Sequence, residues 1–277
     1  MAHARKRHHT LPDGKVVHLS GWKPDRPDHR DALYMRAVSP EDAMKSPPQS
    51  LDQWPVWKNP MGIYNQGQVG DCTANGGDSV YRWPYWKMHA KDIPQFSRFF
   101  LYAETRKRSG VPLTEDSGAS IRDMVMTMKN VGMCPEAMWP SSDESRFTDD
   151  PTDACREEAA KHRVSSCHSI PNLASLKHEI SNWYPVVFGF PVYTSFMSDT
   201  VAKTGVVPIP APGEDVEGGH CVIAIGYCDQ RKAVLCMNSW GTSWGDGGFF
   251  WLPYWFFTEH LASDMWVCHT ETGVTLP

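Results

Sequence analysis

Three short segments carry the residues that could do chemistry. Asn65-Gln66-Gly67-Gln68-Val69-Gly70-Asp71-Cys72 is a glycine-rich turn with a side-chain amide six residues before a cysteine, and a helix-like stretch follows it. Gly218-Gly219-His220 opens the apolar run from Cys221 to Tyr227. Asn238-Ser239-Trp240-Gly241 continues through Ser243-Trp244-Gly245 to Gly248. A thiol, an imidazole and an amide in this order, each at the edge of an ordered element, supply a nucleophile, a base and a group that orients the base. Taken singly, Cys72 reads as a small buried hydrophobe, His220 as a core histidine and Asn238 as a turn former. The joint pattern points to acyl transfer.

The elements that must position these residues change character along the chain. The first part is helical. A helix should begin at about Cys72, with Ala74, Gly76 and Gly77 allowing close packing and Pro84 ending or kinking it near Trp83. Ser97 caps a second helix running to Gly110. Ile121, Val125, Met128 and Val131 form an apolar stripe closed by Gly132, and Leu173, Leu176, Ile180 and Trp183 repeat that spacing. After Tyr184 the chain breaks into short apolar or β-branched runs: 185–190, 221–227, 233–237 and 248–252. A helical part followed by a strand-rich part implies an α+β fold of two lobes, about 72–183 and about 184–277. Cys72 then lies on the helical lobe, His220 and Asn238 on the strand lobe, and the site in the cleft between them.

Bulk properties narrow the partners. A chain of 277 residues buries a core without metals, and 41% hydrophobic with 21% charged residues describes an ordinary globular protein. A net charge of −5 gives no reason to expect nucleic acid, and no apolar run approaches a membrane span. The basic start, Met1 to His9, is followed by no apolar segment, so no secretory signal is expected. That favours a cytoplasmic or other intracellular setting with most of the eight cysteines as thiols. Cys134, Cys221, Cys228, Cys236 and Cys268 read as buried thiols, and Cys155, His162, Cys167 and His168 match no standard zinc spacing. No metal or other cofactor is expected, and a monomer acting on a peptide or protein is. Residues 1–50, rich in Pro, Asp, Arg and His, form an extension without periodicity, extended over Gly21 to Asp28; residues 51–277 form the catalytic domain.

The same residues resemble the papain-like cysteine peptidases. His220 follows Cys72 by 148 residues and Asn238 follows His220 by 18, a spacing known in that family. Asn65-Gln66-Gly67 is similar to the family's oxyanion segment, and Asn238-Ser239-Trp240-Gly241 with Trp244-Gly245 to its Asn-Ser-Trp-Gly block. The segment from Glu115 to Arg122 resembles the one that lies along the substrate backbone. There Gly118 would let a peptide approach, with Ser117, Gly219 and Trp240 as further substrate-binding residues. The resemblance runs from Leu51 to the C-terminus and is nearest the bacterial and viral branch, whose nucleophile motif reads as Gly70-Asp71-Cys72-Thr73-Ala74-Asn75 does. Val69 stands where most members have a structural cysteine, so that disulfide cannot form. Thr73 replaces a tryptophan, and Asp71 a small neutral residue.

The resemblance implies a Cys72 thiolate held below the free value of ~8.5 by the helix N-terminus and by His220. Asn238 would orient the imidazole, and Trp240 would shield that hydrogen bond. The Gln66 amide and the Cys72 N–H would form an oxyanion hole, a donor of this kind being worth ~3–4 kcal/mol. A thioester acyl-enzyme follows. Same-triad action on isopeptide or other amide bonds, and an inactive binding protein of this fold, stand as alternatives. Ala119, Ile121, Gly219, Cys221 and the pair Ser263-Asp264 are expected around the second subsite. An inward Asp264 would favour basic side chains there, an outward one apolar side chains, and the apolar case is preferred. The extension could cover the cleft, be cleaved, or brace the strand lobe.

Overall fold

The computed structural model describes residues 8–29, 31, 47–52, 62–89 and 94–269. The N-terminal part is not extended throughout. It begins with a hairpin of β1 (His8–Thr10) and β2 (Val16–His18), in register His9↔Val17, turning at Gly14 with φ +84°. Three residues of this part, Leu11, Val17 and Leu19, are buried in the apolar core of the strand lobe, an anchoring that polar local composition conceals. Strand β3 (Ser50–Asp52) then pairs with the central strand of the main sheet.

The helical lobe holds α1 (Cys72–His89), α2 (Arg98–Arg108), α3 (Ile121–Asn130) and α4 (Asp153–Ala159). Ser97, Ser120 and Thr152 accept hydrogen bonds from Phe100, Asp123 and Cys155 N–H, so α2, α3 and α4 each start on a side-chain cap worth ~1 kcal/mol. Gly132, at φ +104°, turns the chain away after α3. The central position of α1 depends on two glycines. A methyl group at Gly77 would lie 2.6 Å from Met124 Sδ and 2.7 Å from Leu101 Cδ2, and one at Gly76 3.1 Å from Val187 Cγ2. The expected break at Pro84 does not occur: α1 continues to His89. Buried Val80, Tyr81 and Trp83 pack the preceding turn into the core, and that packing outweighs the ~3 kcal/mol that an interior proline costs.

The strand lobe is a seven-stranded sheet of β4 (Ser166–Ser169), β5 (Val186–Tyr193), β6 (Val216–Cys228), β7 (Ala233–Met237), β8 (Phe249–Pro253) and β9 (Ser263–His269), with β3. Its order is β4-β9-β5-β6-β7-β8, β3 also pairing β6, with every pairing antiparallel. Helices α5 (Leu173–Ser181), α6 (Asp199–Thr204) and α7 (Trp255–Thr258) complete this part. Two expectations need correction. The strand carrying His220 begins at Val216, so His220 sits within β6, opposite Phe190 of β5. Strands β4 and β9 were not foreseen, because Ser-Cys-His-Ser and Ser-Asp-Met-Trp-Val-Cys-His show no clean alternation. Among the described residues no helix is long and apolar enough to cross a membrane.

Candidate active site

Cys72 is the first residue of α1, where the unpaired N–H groups and the positive dipole end of the helix lie. Across the cleft, His220 Nε2 is 2.7 Å from Asn238 Oδ1. The Ser239 backbone N–H also donates to Asn238 Oδ1 at 2.8 Å, so that oxygen is held as an acceptor and the imidazole proton belongs on Nε2. His220 Nδ1 is buried without a hydrogen-bond partner among the described residues. It is the nitrogen left to take a proton. Trp240 stacks on the imidazole at 4.8 Å between ring centroids and 27° between planes, covering the His220–Asn238 bond.

Gln66 is equally constrained. Its Oε1 accepts from Ser239 Oγ at 2.6 Å and its Nε2 donates to Val69 O at 3.0 Å, which leaves one N–H of the amide uncommitted in these bonds. The Gln66 backbone N–H donates to Ser239 O at 2.8 Å, and Asn65 bridges Trp240. The turn carrying Gln66 and the Asn-Ser-Trp-Gly turn are therefore one hydrogen-bonded unit, which is how residues far apart in sequence share a site.

The cleft is occupied by the chain itself. Residues 19–25 run between the lobes, paired on both sides by parallel bridges, Ser20↔Gly219 and Trp22↔Ala119. Gly219 N donates to Leu19 O at 2.7 Å, Ala119 N to Gly21 O at 2.9 Å and Lys23 N to Ala119 O at 2.9 Å. Gly21 passes over Cys72, where a methyl group would sit 2.6 Å from Cys72 Sγ. A methyl group on Gly118, at φ +70°, would meet Ser20 O at 2.5 Å. Gly118 thus lets the protein's own main chain lie close, but Ala119 makes the ladder bonds. Ser117 flanks this contact, its hydroxyl donating to Gly118 O at 2.8 Å, and lines an open cavity of about 580 Å³ with His18, Ser20 and Lys23.

Trp22 anchors the segment. Its indole fills a pocket where methyl groups on Gly189 and Gly219 would lie 2.0 Å and 2.8 Å from ring atoms, and its Nε1 donates to Asp264 Oδ2 at 3.1 Å. Asp264 points inward, not outward as the preferred apolar case required. Its φ of +52° is a conformation few non-glycine residues adopt, and it aims the carboxylate at the indole. The Asp25 N–H donates to the same oxygen at 2.8 Å. The Asp25 carboxylate accepts from Arg122 N at 3.1 Å and Trp266 Nε1 at 3.3 Å, while Arg122 also pairs with Asp31. Sequence reasoning missed Trp22, Gly189 and Asp25. A glycine within the run Val186 to Val192 was the available sign of close approach at Gly189.

Burial sets the charges in this closed state. It raises the Cys72 thiol far above its ordinary range, with Asp71 and Asp116 adding to the shift, although the Cys221 and Thr73 N–H groups oppose it. It pushes the His220 imidazole down to about 4, against the hydrogen bond to Asn238. Both shifts disfavour a thiolate–imidazolium pair while the segment is in place. Asp71 is itself buried and pushed up to about 7 by desolvation, with Asn75 Nδ2 donating to it at 2.9 Å. Asp71 is thus a buried helix-start residue whose Oδ1 accepts from Asn75 while its Oδ2 has no hydrogen-bond partner among the described residues, and its charge is partly suppressed. Among the described residues no group of three or more His, Cys, Asp or Glu side chains is placed to hold a metal ion.

A family profile described as papain family cysteine protease matches residues 102–255. An uncharacterized peptidase C1-like protein of Acanthamoeba polyphaga mimivirus is 35% identical over 218 residues, covering 75% of this chain and 70% of that protein. Cathepsin B of Dictyostelium discoideum is 30% identical over 259 residues, 85% of this chain and 78% of that protein. Among solved structures, Xylellain, a cysteine protease from Xylella fastidiosa, superposes with a TM-score of 0.80 at 30% identity over 96% of this chain and 99% of its own. The proCathepsin B S9 of Trypanosoma congolense shares the fold, with a TM-score of 0.71 at 17% identity over 92% of this chain and 87% of its own.

Proposed function

Since the chain belongs to the papain family of cysteine proteases and is a cysteine peptidase, we propose that it cleaves peptide bonds through Cys72, His220 and Asn238, and that residues 19–25 hold its cleft closed until displaced. The observation that carries the first part is the His220–Asn238 bond of 2.7 Å, with Nδ1 left free, facing a cleft that begins at the Cys72 end of α1.

With the segment displaced, water and the helix dipole favour transfer of the Cys72 proton to His220 Nδ1. The thiolate adds to the substrate carbonyl carbon, and the oxyanion is held by Gln66 Nε2–H and the Cys72 N–H. The C–N bond breaks as imidazolium Nδ1–H protonates the leaving amine. Water, giving its proton to His220, then hydrolyses the thioester and releases the acid. Asn238 keeps the ring in one tautomer throughout. Gln66→Ala should therefore lower kcat by roughly 10²–10³-fold with little change in KM. Steady-state kinetics check this, and a change confined to KM would remove Gln66 from the oxyanion hole.

The pocket vacated by Trp22 ends in a carboxylate, so a basic side chain is the substrate group it suits best. Fluorogenic peptides differing at that position should show Arg favoured over Leu by roughly tenfold or more, the worth of a charge-assisted hydrogen bond. Asp264→Ala should abolish the preference. Equal turnover of both peptides by the wild type would reject this specificity.

Closure should also respond to pH through Asp25. Burial and the charge of Asp264 raise its carboxyl to about 6, against Arg122 and Trp266, and burial likewise raises Asp264. A carboxyl whose value is raised in the docked state stabilises docking fully below its free value near 4 and loses that contribution as pH rises through about 6. Asp25→Asn removes the titration. The ratio of wild-type to Asp25→Asn activity should rise by roughly ten- to a hundredfold between pH 4 and 7. The His220 contribution is common to both proteins and cancels. A flat ratio would show that Asp25 does not sense pH.

A further inference from the structure

All eight cysteines carry free thiols, yet two of them lie as cross-strand neighbours. Cys167 of β4 and Cys268 of β9 are direct partners in the antiparallel register, with Sγ atoms 3.0 Å apart. Ile170 N donates to Met265 O at 2.8 Å, so hydrogen-bonded pairs fall at every second position from there. That alternation makes Cys167↔Cys268 a non-hydrogen-bonded pair. Such pairs bring Cα atoms to about 4.5 Å, within the range that a disulfide spans. The sulfurs need to move together by only about 1 Å to reach a bond length of about 2.0 Å.

We propose that Cys167 and Cys268 are a disulfide-forming pair, a reversible covalent staple between the edge strand β4 and its neighbour β9. The oxidant is a small external disulfide such as oxidised glutathione. One deprotonated thiol attacks a sulfur of that reagent and expels one thiolate, giving a mixed disulfide. The second, deprotonated in turn, attacks the protein sulfur of the mixed disulfide and expels the other thiolate. Two protein thiols thereby lose two protons and two electrons, and the reagent is reduced to two thiols.

The surroundings set the rate and the consequence. Both thiols are buried, Cys167 Sγ facing Val125 O of α3 at 3.9 Å, so attack requires local opening. An edge strand of four residues is suited to that. The contact with Cys167 and burial hold the Cys268 thiol well above its usual range, which makes the exchange slow. Once formed, the bond closes a loop across 101 sequence positions and fixes β9, whose first residues are Ser263 and Asp264 of the cleft.

The test is peptide mapping of the full-length protein without reduction, after prolonged incubation with excess oxidised glutathione and alkylation of remaining thiols. The expected product joins the peptides of Cys167 and Cys268 with loss of two hydrogens. It should raise Tm by roughly 5–15 °C, reversed by a reductant. Cys268→Ser should lose both effects, whereas Cys155→Ala should keep them. Cys134 and Cys155 are also in thiol contact, without the cross-strand register. Recovery of Cys167 and Cys268 separately alkylated, or a bond from either to any other cysteine, would overturn the proposal. The wild-type map decides this even if a variant fails to fold.

Discussion

Cys72→Ala is expected to eliminate peptide hydrolysis, lowering kcat/KM by roughly ten-thousand-fold or more, while Tm stays within a few degrees of wild type. The sulfur is a small buried group at a helix start, so its removal leaves a minor cavity, while the group proposed to form the thioester is lost. His220→Ala should be nearly as severe. Asn238→Ala should be milder, since thiol and base remain and only orientation is lost. Active-site titration alongside steady-state turnover measures all three. Residual Cys72→Ala turnover within about tenfold of wild type would remove Cys72 as nucleophile.

The second large effect has the opposite sign. Trp22→Ala in the full-length chain should raise turnover of a small peptide roughly ten- to a hundredfold. A buried tryptophan truncated to alanine costs about 3–5 kcal/mol, and here that loss falls on the docked segment. The indole also gives up its bond to Asp264 and its fit against Gly189 and Gly219. The bracing of the segment by Val17 and Leu19 in the strand-lobe core remains, so the release is partial. Initial rates at a fixed pH measure the change. Activity unchanged or reduced in Trp22→Ala would mean that residues 19–25 do not limit access.

Much of the candidate site was legible in the sequence because its constraints are local. A cysteine at a helix start, a histidine in an apolar run behind two glycines, and an asparagine in a tight turn each need a particular neighbourhood within a few residues. The helix cap Ser97 was equally local, and α2 begins where that residue places it. Covering of the cleft stood only as one of three roles for the extension, and nothing local chose among them. Gly21 reads as one residue in a proline-rich stretch, and its meaning comes from lying against Cys72 in space. The inward turn of Asp264 depends on a positive φ in an otherwise polar strand start, and Asp25 becomes notable only through a carboxylate more than two hundred residues away. Pro84 shows the reverse case, in which a clear local signal yields to packing around Trp83.

Labelling by an epoxide that traps catalytic thiols, followed by peptide mapping, joins the chemistry and the closure in one readout. With wild type, Trp22→Ala and His220→Ala compared at the same pH, the label should reside on Cys72. It should form roughly tenfold or more faster in Trp22→Ala than in wild type, and be largely lost in His220→Ala. Label spread over the other cysteines, or a Cys72 rate indifferent to both substitutions, would contradict a Cys72–His220 nucleophile held under the chain's own N-terminal segment.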